Sequence, residues 1–214
     1  MDQLEAVVFD CDGVILESAD IKSEAFRRVG GLFGPDIQGR LLQHHLRHAG
    51  VSRYEKFAWL YRTEFGREIA AGESRRLGEI FAGYCLEAVL KAPFVPGFEE
   101  ALAWFKGRGA ALFVASGTPQ AELKTVLEAR GVAGRFRDIL GTPPAKSRLL
   151  AKIIADGGFK PGRVLMVGDA ETDLQAAQEN GTLFFGRGDC FQGRGLPWGR
   201  DLTSLAAWAE ESKP

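Results

Sequence analysis

The chain has 214 residues, 45% of them hydrophobic, which is enough apolar material for one domain or a core with a smaller insert, and too much for a disordered segment. Its 27 basic and 28 acidic residues give a net charge of -1, which argues against a general nucleic-acid binder. No apolar run approaches the roughly 20 residues that span a bilayer, and Met1-Asp2-Gln3-Leu4-Glu5 lacks the basic stretch of a signal or transit peptide, so a soluble protein away from membranes is expected.

In chain order, the first apolar run is Ala6-Val7-Val8-Phe9, closed by Asp10. Residues 18–94 then show helical periodicity and almost no strand signal, with helices expected over 20–29, 37–49, 53–65 and 73–91. Ser52-Arg53-Tyr54-Glu55 has the spacing of a capping box for the third of these, directly after Gly50 closes the second. Pro93 and Pro96-Gly97 mark the return to alternating strands and helices. The second strand is expected over 110–115, ending at Ser116-Gly117. Thr118 is then read as the cap of a helix opened by Pro119 and stopped at Gly131. Asp138-Ile139-Leu140-Gly141 is a weaker strand, and Val164-Leu165-Met166-Val167 a strong one ending at Gly168-Asp169. A helix from about Glu171 stops at Asn180-Gly181, and Thr182-Leu183-Phe184-Phe185 follows as a strand. The glycine-rich segment 186–200 reads as a surface loop, in which Arg187-Gly188-Asp189 is a coincidental triplet.

Continuous apolar runs of four to six residues suit strands buried on both faces. Their alternation with helices predicts a doubly wound α/β fold with a parallel sheet, with residues 1–17 and 95–214 as the core and 18–94 as a helical insertion. In such sheets ligands sit beyond the C-terminal strand ends, where the candidate residues fall.

The chemistry-bearing pieces are Asp10-Cys11-Asp12-Gly13-Val14, Ser116-Gly117, Lys146 after Thr142-Pro143-Pro144-Ala145, and Gly168-Asp169 with Asp173. Taken singly, each acid could be a strand-end or helix cap. In this order, each closing or following a strand, the set resembles the haloacid dehalogenase-like hydrolase superfamily, with the insertion similar to its α-helical cap. Within it, the chain is similar to the phosphoglycolate phosphatase and β-phosphoglucomutase group.

The resemblance implies a magnesium-dependent phosphatase acting on a small sugar phosphate or phosphorylated organic acid. Phosphoryl transfer needs an in-line nucleophile, charge neutralisation and a proton for the leaving oxygen. Asp10 would attack phosphorus to form an aspartyl-phosphate, while Asp12 would protonate the leaving alcohol and then activate water. Ser116, Gly117 and Lys146 would hold the transferring phosphoryl oxygens. Two carboxylates ~4 Å apart repel by about 4 kcal/mol at an effective dielectric of 20, so the crowded acids call for a cation. Asp10, Asp169 and the Asp12 backbone carbonyl would hold it, with Asp173 supporting the site directly or through water. The oxygen-only donor set favours magnesium over zinc or copper.

In the insertion, residues 38–56 hold Arg40, Arg47, Arg53 and Lys56 against one acid, Glu55. This stretch either receives an anionic substrate group or is a solvated helix face, the latter being favoured for most individual residues. His44, His45 and His48 all lie there. His44 and His48 have the spacing of a metal pair, but without a third ligand, packing or surface exposure is the preferred reading. Gly50-Val51-Ser52-Arg53 resembles the cap loop of β-phosphoglucomutase, which implies an anion-binding role for Arg53. Lys22 stands where those mutases have a histidine, and Glu17 where many relatives have aspartate. The alternatives are a sugar phosphomutase, disfavoured by Lys22, a carbon–halogen or phosphonate hydrolase, disfavoured by the presence of Asp12, and a non-catalytic binding module. The implied partner is a small-molecule phosphate ester, with the protein a monomer or homodimer.

Cys11, Cys85 and Cys190 are far apart, odd in number and outside zinc or disulfide spacing, so a reducing, cytoplasmic setting is expected. Cys11 lies between two aspartates, whose field raises a thiol pKa, and is read as a small filler residue.

Overall fold

The computed structural model of the chain describes residues 4–211, so the outermost residues of the expected core, 1–3 and 212–214, lie outside the described residues, as do Met1, Asp2 and Gln3 of the expected leaderless start. Strands β1 (Ala6–Phe9), β2 (Ala111–Pro119), β3 (Asp138–Thr142), β4 (Val164–Gly168), β5 (Leu183–Arg187) and β6 (Trp198–Gly199) form one sheet in the order β3-β2-β1-β4-β5-β6. Every pairing is parallel. Helices α1 (Ala19–Gly31), α2 (Pro35–Arg47), α3 (Arg53–Phe65) and α4 (Ala71–Lys91) follow β1. They are succeeded by α5 (Phe98–Gly107), α6 (Gln120–Ala129), α7 (Lys146–Gly157), α8 (Glu171–Asn180) and α9 (Leu205–Glu211) between and after the remaining strands.

The strands bury both faces because their apolar runs are continuous. Val7, Phe9, Leu112, Val114, Leu165 and Val167 point to one side, where they meet Phe98, Phe105 and Leu123 of α5 and α6. Ala6, Val8, Phe113, Ala115, Val164 and Met166 point to the other, against Leu149, Leu150 and Ile153 of α7 and Leu174 and Ala177 of α8. Phe9 makes edge-on contacts with Phe98, Phe105 and Phe136 at centroid distances of 6.0 to 6.5 Å, a geometry worth about 0.5–1.5 kcal/mol per pair beyond area burial.

All five expected strands form. The segment 186–200, expected to be a loop, adds β6 through Gly186 N to Pro197 O at 2.9 Å and Gly188 N to Gly199 O at 2.8 Å. A strand of two residues is too short to show an apolar pattern. Helix α3 has its expected bounds, with Ser52 Oγ accepting from Tyr54 N at 3.4 Å and Gly66 closing it in a left-handed conformation. Helix α2 begins two residues before its expected start, because Pro35 supplies a first helical position that needs no N–H donor. The expected capping role of Thr118 is not realised: β2 runs on to Pro119, and the Thr118 hydroxyl bonds elsewhere.

The four-helix insertion leaves and rejoins the sheet side by side. Val95 N donates to Ile15 O at 3.0 Å and Glu17 N to Pro93 O at 3.0 Å. Among the described residues, no helix is long and apolar enough to cross a membrane.

Candidate active site

Sheet register brings the acids together. Phe9 is aligned with Val114 of β2 and Val167 of β4. Asp10 lies one residue beyond that row, and Ser116 and Asp169 two residues beyond it. The three therefore collect at the C-terminal edge, where the chain winds away from β1 in both directions. Gly13 turns the chain after Asp12 with φ at +76°, and a Cβ there would meet Asp169 Oδ2 at 2.0 Å, so only glycine fits both the turn and the space.

Asp10 is 3% exposed and accepts from Cys11 N at 2.6 Å through Oδ1. Its Oδ2 lies 2.8 Å from the ammonium of Lys146, the first residue of α7, which also pairs with Asp173. Asp173 is fully buried in the first turn of α8, where its Oδ2 accepts from Ala170 N at 3.0 Å. Burial alone would lower the Lys146 pKa, but Asp10 and Asp173 outweigh it and hold the ammonium above its ordinary range.

Carboxylate oxygens of Asp10, Asp169 and Asp173 lie within 4.8 Å of one another. Burial, followed by the charges of Asp10 and Asp173, pushes the Asp169 carboxyl well above its ordinary pKa. Burial likewise raises Asp173, to about 6, against the pull of Lys146. Lys146 is shared by Asp10 and Asp173, while among the described residues no ammonium or guanidinium forms an ion pair with Asp169. A compact, oxygen-only cluster with this much uncompensated charge fits a hard divalent cation. His44 is half-buried, stacking on Trp59 of α3 at 3.7 Å and on the exposed His48 at 4.1 Å, so packing accounts for the pair.

Asp12 is half-buried and bound on several sides. Lys22 of α1 pairs with its Oδ2, Ser18 Oγ donates to Oδ1 at 2.6 Å, and Thr118 Oγ1 donates to Oδ2 at 2.9 Å. Burial would raise its pKa, yet the Lys22 charge and these hydrogen bonds prevail and hold it below the ordinary value. Cys11 is buried and its thiol is pushed up by burial and then by Asp12, in keeping with a filler role.

A cavity of about 190 Å³ lies between the sheet edge and the insertion, lined by Asp10, Asp12, Ser116, Gly117 and Asp169 from the core and by Lys22, Arg53 and Lys56 from the helices. The loop from α2 to α3 closes one side. A Cβ on Gly117 would meet Gly50 O at 2.2 Å, and Thr172 Oγ1 donates to Ala49 O at 3.0 Å. Arg53 is buried over the Phe81 ring and pairs with Glu122 of α6.

Residues 4–181 match the family profile of the haloacid dehalogenase-like hydrolases. The chain belongs to this family. It is similar to a phosphoglycolate phosphatase of Synechococcus elongatus, at 26% identity over 191 residues, covering 84% of this chain and 82% of that protein. It is also similar to a phosphorylated carbohydrates phosphatase of Thermotoga maritima, at 26% identity over 186 residues, covering 83% and 82%. In fold it is similar to the β-phosphoglucomutase of Clostridium difficile, with a TM-score of 0.78 at 21% identity, covering 95% and 93%.

In this hydrolase the sheet edge gathers Asp10, Asp12, Ser116, Gly117, Lys146, Asp169 and Asp173, while Lys22 and Arg53 reach the same cavity already bonded to carboxylates of the chain itself. Sequence reasoning missed Thr118, Ser18 and Glu122. Thr118 was legible in one respect, since it shares the strand face of Ser116 by two-residue alternation. Nothing in the sequence distinguishes Ser18 or Glu122 from other polar residues near a helix start. Lys56 belongs to the basic stretch for which an anion-receiving and a solvated reading are both open, and at 1% exposed it is not on a solvated face.

Proposed function

We propose that this hydrolase is a magnesium-dependent phosphatase that transfers the phosphoryl group of a small phosphorylated metabolite to Asp10 and then to water. The convergence of Asp10, Asp12, Ser116, Gly117 and Asp169 on one cavity carries this reading. The names of its relatives point to a phosphorylated organic acid or a sugar phosphate as substrate.

An Asp10 oxygen attacks phosphorus as the ester P–O bond breaks, and the leaving oxygen takes a proton from Asp12. The arriving phosphoryl charge raises the proton affinity of Asp12, which takes up a proton from solvent or from the monoprotonated phosphate ester and then passes it to the leaving oxygen. In the second half, Asp12 takes a proton from the attacking water, the Asp10–phosphorus bond breaks, and inorganic phosphate leaves. The hydroxyls of Ser18 and Thr118 keep the Asp12 carboxyl aimed at both oxygens. Ser116 Oγ, which accepts from Thr118 N at 3.2 Å, keeps its own proton for a phosphoryl oxygen. Lys146 holds Asp10 in place and offsets its charge. Asp10, Asp169 and the backbone carbonyl of Asp12 would hold magnesium, with Asp173 behind them. When bound, the ion supplies charge neutralisation at the phosphoryl oxygens.

Residues 18–94 act in this reading as a cap on the core of 1–17 and 95–214, supported by the seating of the Gly50 carbonyl on Gly117. Unpaired Cys11, Cys85 and Cys190 fit a cytoplasmic setting. The decisive experiment compares wild type with Asp10→Asn for magnesium-dependent phosphate release from an aryl phosphate and from 2-phosphoglycolate, with isomerised sugar phosphates assayed in parallel. Release is expected only from wild type, and equal turnover by Asp10→Asn removes the nucleophile.

A further inference from the structure

The chemistry above leaves one buried cation unused. Lys56 is 1% exposed, and its ammonium lies 2.8 Å from His45 Nδ1. Among the described residues, no carboxylate forms an ion pair with it and no other hydrogen-bond acceptor meets it. Burying a charged lysine without a counter-charge is costly.

Its surroundings fix its orientation. Ser23 Oγ donates to Ala19 O at 3.0 Å and lies 3.0 Å from His45 Nε2, so its single hydroxyl proton is spent and it accepts from the imidazole. His45 therefore carries its proton on Nε2 and turns a bare Nδ1 toward Lys56. Burial and then the Lys56 charge push His45 down to about 3, which keeps the ring neutral and able to accept. Phe26 stacks on His45 at 4.3 Å and presents its face to Lys56 at 4.8 Å. One of the three ammonium N–H donors is used, leaving two. Ser23, Phe26, His45 and Lys56 all line the cavity that holds Asp10 and Asp12.

We propose that Lys56, oriented by His45, binds a second anionic group, a carboxylate or a phosphate, on the ester this hydrolase cleaves. The assignment rests on the phosphatase reading and narrows its substrates to small phosphate esters with a second negative charge. Lys22 and Arg53 reach the same cavity but are already neutralised by Asp12 and Glu122, so an incoming anion must displace a carboxylate to use either. Lys56 needs no such exchange.

The facing charges agree with this arrangement. Burial, then Lys22 of α1, lowers the Lys56 pKa to about 7. Glu55 on its own helix and Asp12 beyond β1 oppose the shift, and Lys146 of α7 adds to it. A bound anion would raise that pKa again, keep the ammonium charged and strengthen the contact.

The test measures kcat/KM, with magnesium present, for 2-phosphoglycolate, a sugar bisphosphate and phenyl phosphate, whose leaving group is uncharged. Wild type is expected to prefer at least one of the doubly anionic esters. In Lys56→Met, which keeps side-chain volume and removes the charge, that preference is expected to fall about tenfold or more, chiefly through KM. Whichever ester loses its advantage identifies the second anion as carboxylate or phosphate. A preference that moves by less than about threefold for both esters overturns the proposal, as does a wild type with no such preference. Lys56→Gln provides the same charge loss if the methionine variant does not fold. Calorimetric binding of the three compounds to the Asp10→Asn protein repeats the comparison without turnover. A wild type that turns over none of them sinks the phosphatase reading alone, and the binding preference still decides Lys56.

Discussion

The ammonium of Lys22 and the carboxylate of Asp12 are joined in an ion pair that Thr118 closes on both sides, receiving a hydrogen bond from Lys22 at 2.6 Å and donating one to Asp12 at 2.9 Å. The proton donor and acceptor of the proposed reaction is thus held ionised until a phosphoryl group arrives. Removing Lys22 takes away the charge that keeps the Asp12 pKa down. In Lys22→Met the high-pH limb of kcat on an aryl phosphate, which reports the proton donor in the substrate complex, is expected to move to higher pH. An unmoved limb would separate Lys22 from the proton steps.

Magnesium should stabilise the folded protein before any substrate is added, because the clustered carboxylates of Asp10, Asp169 and Asp173 exist only in the native state. A thermal unfolding titration is expected to show Tm rising with magnesium for wild type. The rise should be absent or much reduced for Asp169→Asn, which keeps the side-chain shape while removing the carboxylate that has no protein cation. An equal rise in both proteins would move the ion elsewhere.

The buried histidine sets an acid dependence of stability. His45 is neutral in the folded protein, with its pKa lowered to about 3, whereas an unfolded histidine takes up a proton near pH 6.5. Between these values the unfolded chain binds the extra proton, so stability is complete above about pH 6.5 and falls as pH drops toward 3, by up to about 1.4 kcal/mol per pH unit for this one group. Urea unfolding of wild type and His45→Gln between pH 7 and pH 4 should show a shallower acid loss in the variant. Parallel curves would mean that His45 stays solvated.

Arg53 joins the insertion to the core through Glu122, with the guanidinium side chain 4% and the carboxylate side chain 18% exposed. Breaking such a pair from one side leaves a partly buried charge without its partner, so Arg53→Ala is expected to cost about 2 kcal/mol in urea unfolding. Adding Glu122→Gln should recover part of that loss. Strict additivity of the two substitutions would show the contact to be energetically idle.

Gly117→Ala places a methyl group 2.2 Å from the Gly50 carbonyl, so the loop over the cavity must move away. Because a displacement of about 1 Å can cost a hundredfold in rate, kcat/KM is expected to drop by roughly that much while the sheet stays folded. Wild-type kinetics in this variant would mean that loop seating plays no part in turnover.

The central architecture was legible because its signals are local. Val7 to Phe9 and Val164 to Val167 are continuous apolar runs, and Asp10 and Asp169 are the first acids after them. The site's acids follow from strand register once the sheet is parallel. Contacts across the insertion were not legible. Glu122 is one more acid in a helix's first turn until the fold sets it beside Arg53, and Lys56 belongs to a basic stretch until α3 turns it inward. Thr118 read as a cap before Pro119, and only the extra length of β2 makes it a strand-end hydroxyl instead.

The paired connections at Ile15–Val95 and Glu17–Pro93 put the joint between insertion and sheet directly beside the chain segment that carries Asp10 and Asp12. Displacement in a rotation grows with distance from its pivot. A substitution that shifts the outlying helices therefore disturbs the carboxylates of Asp10 and Asp12 least, because they sit next to this joint. Selection can then retune which molecules are admitted by altering the outlying helices, without rebuilding the bond-breaking machinery each time.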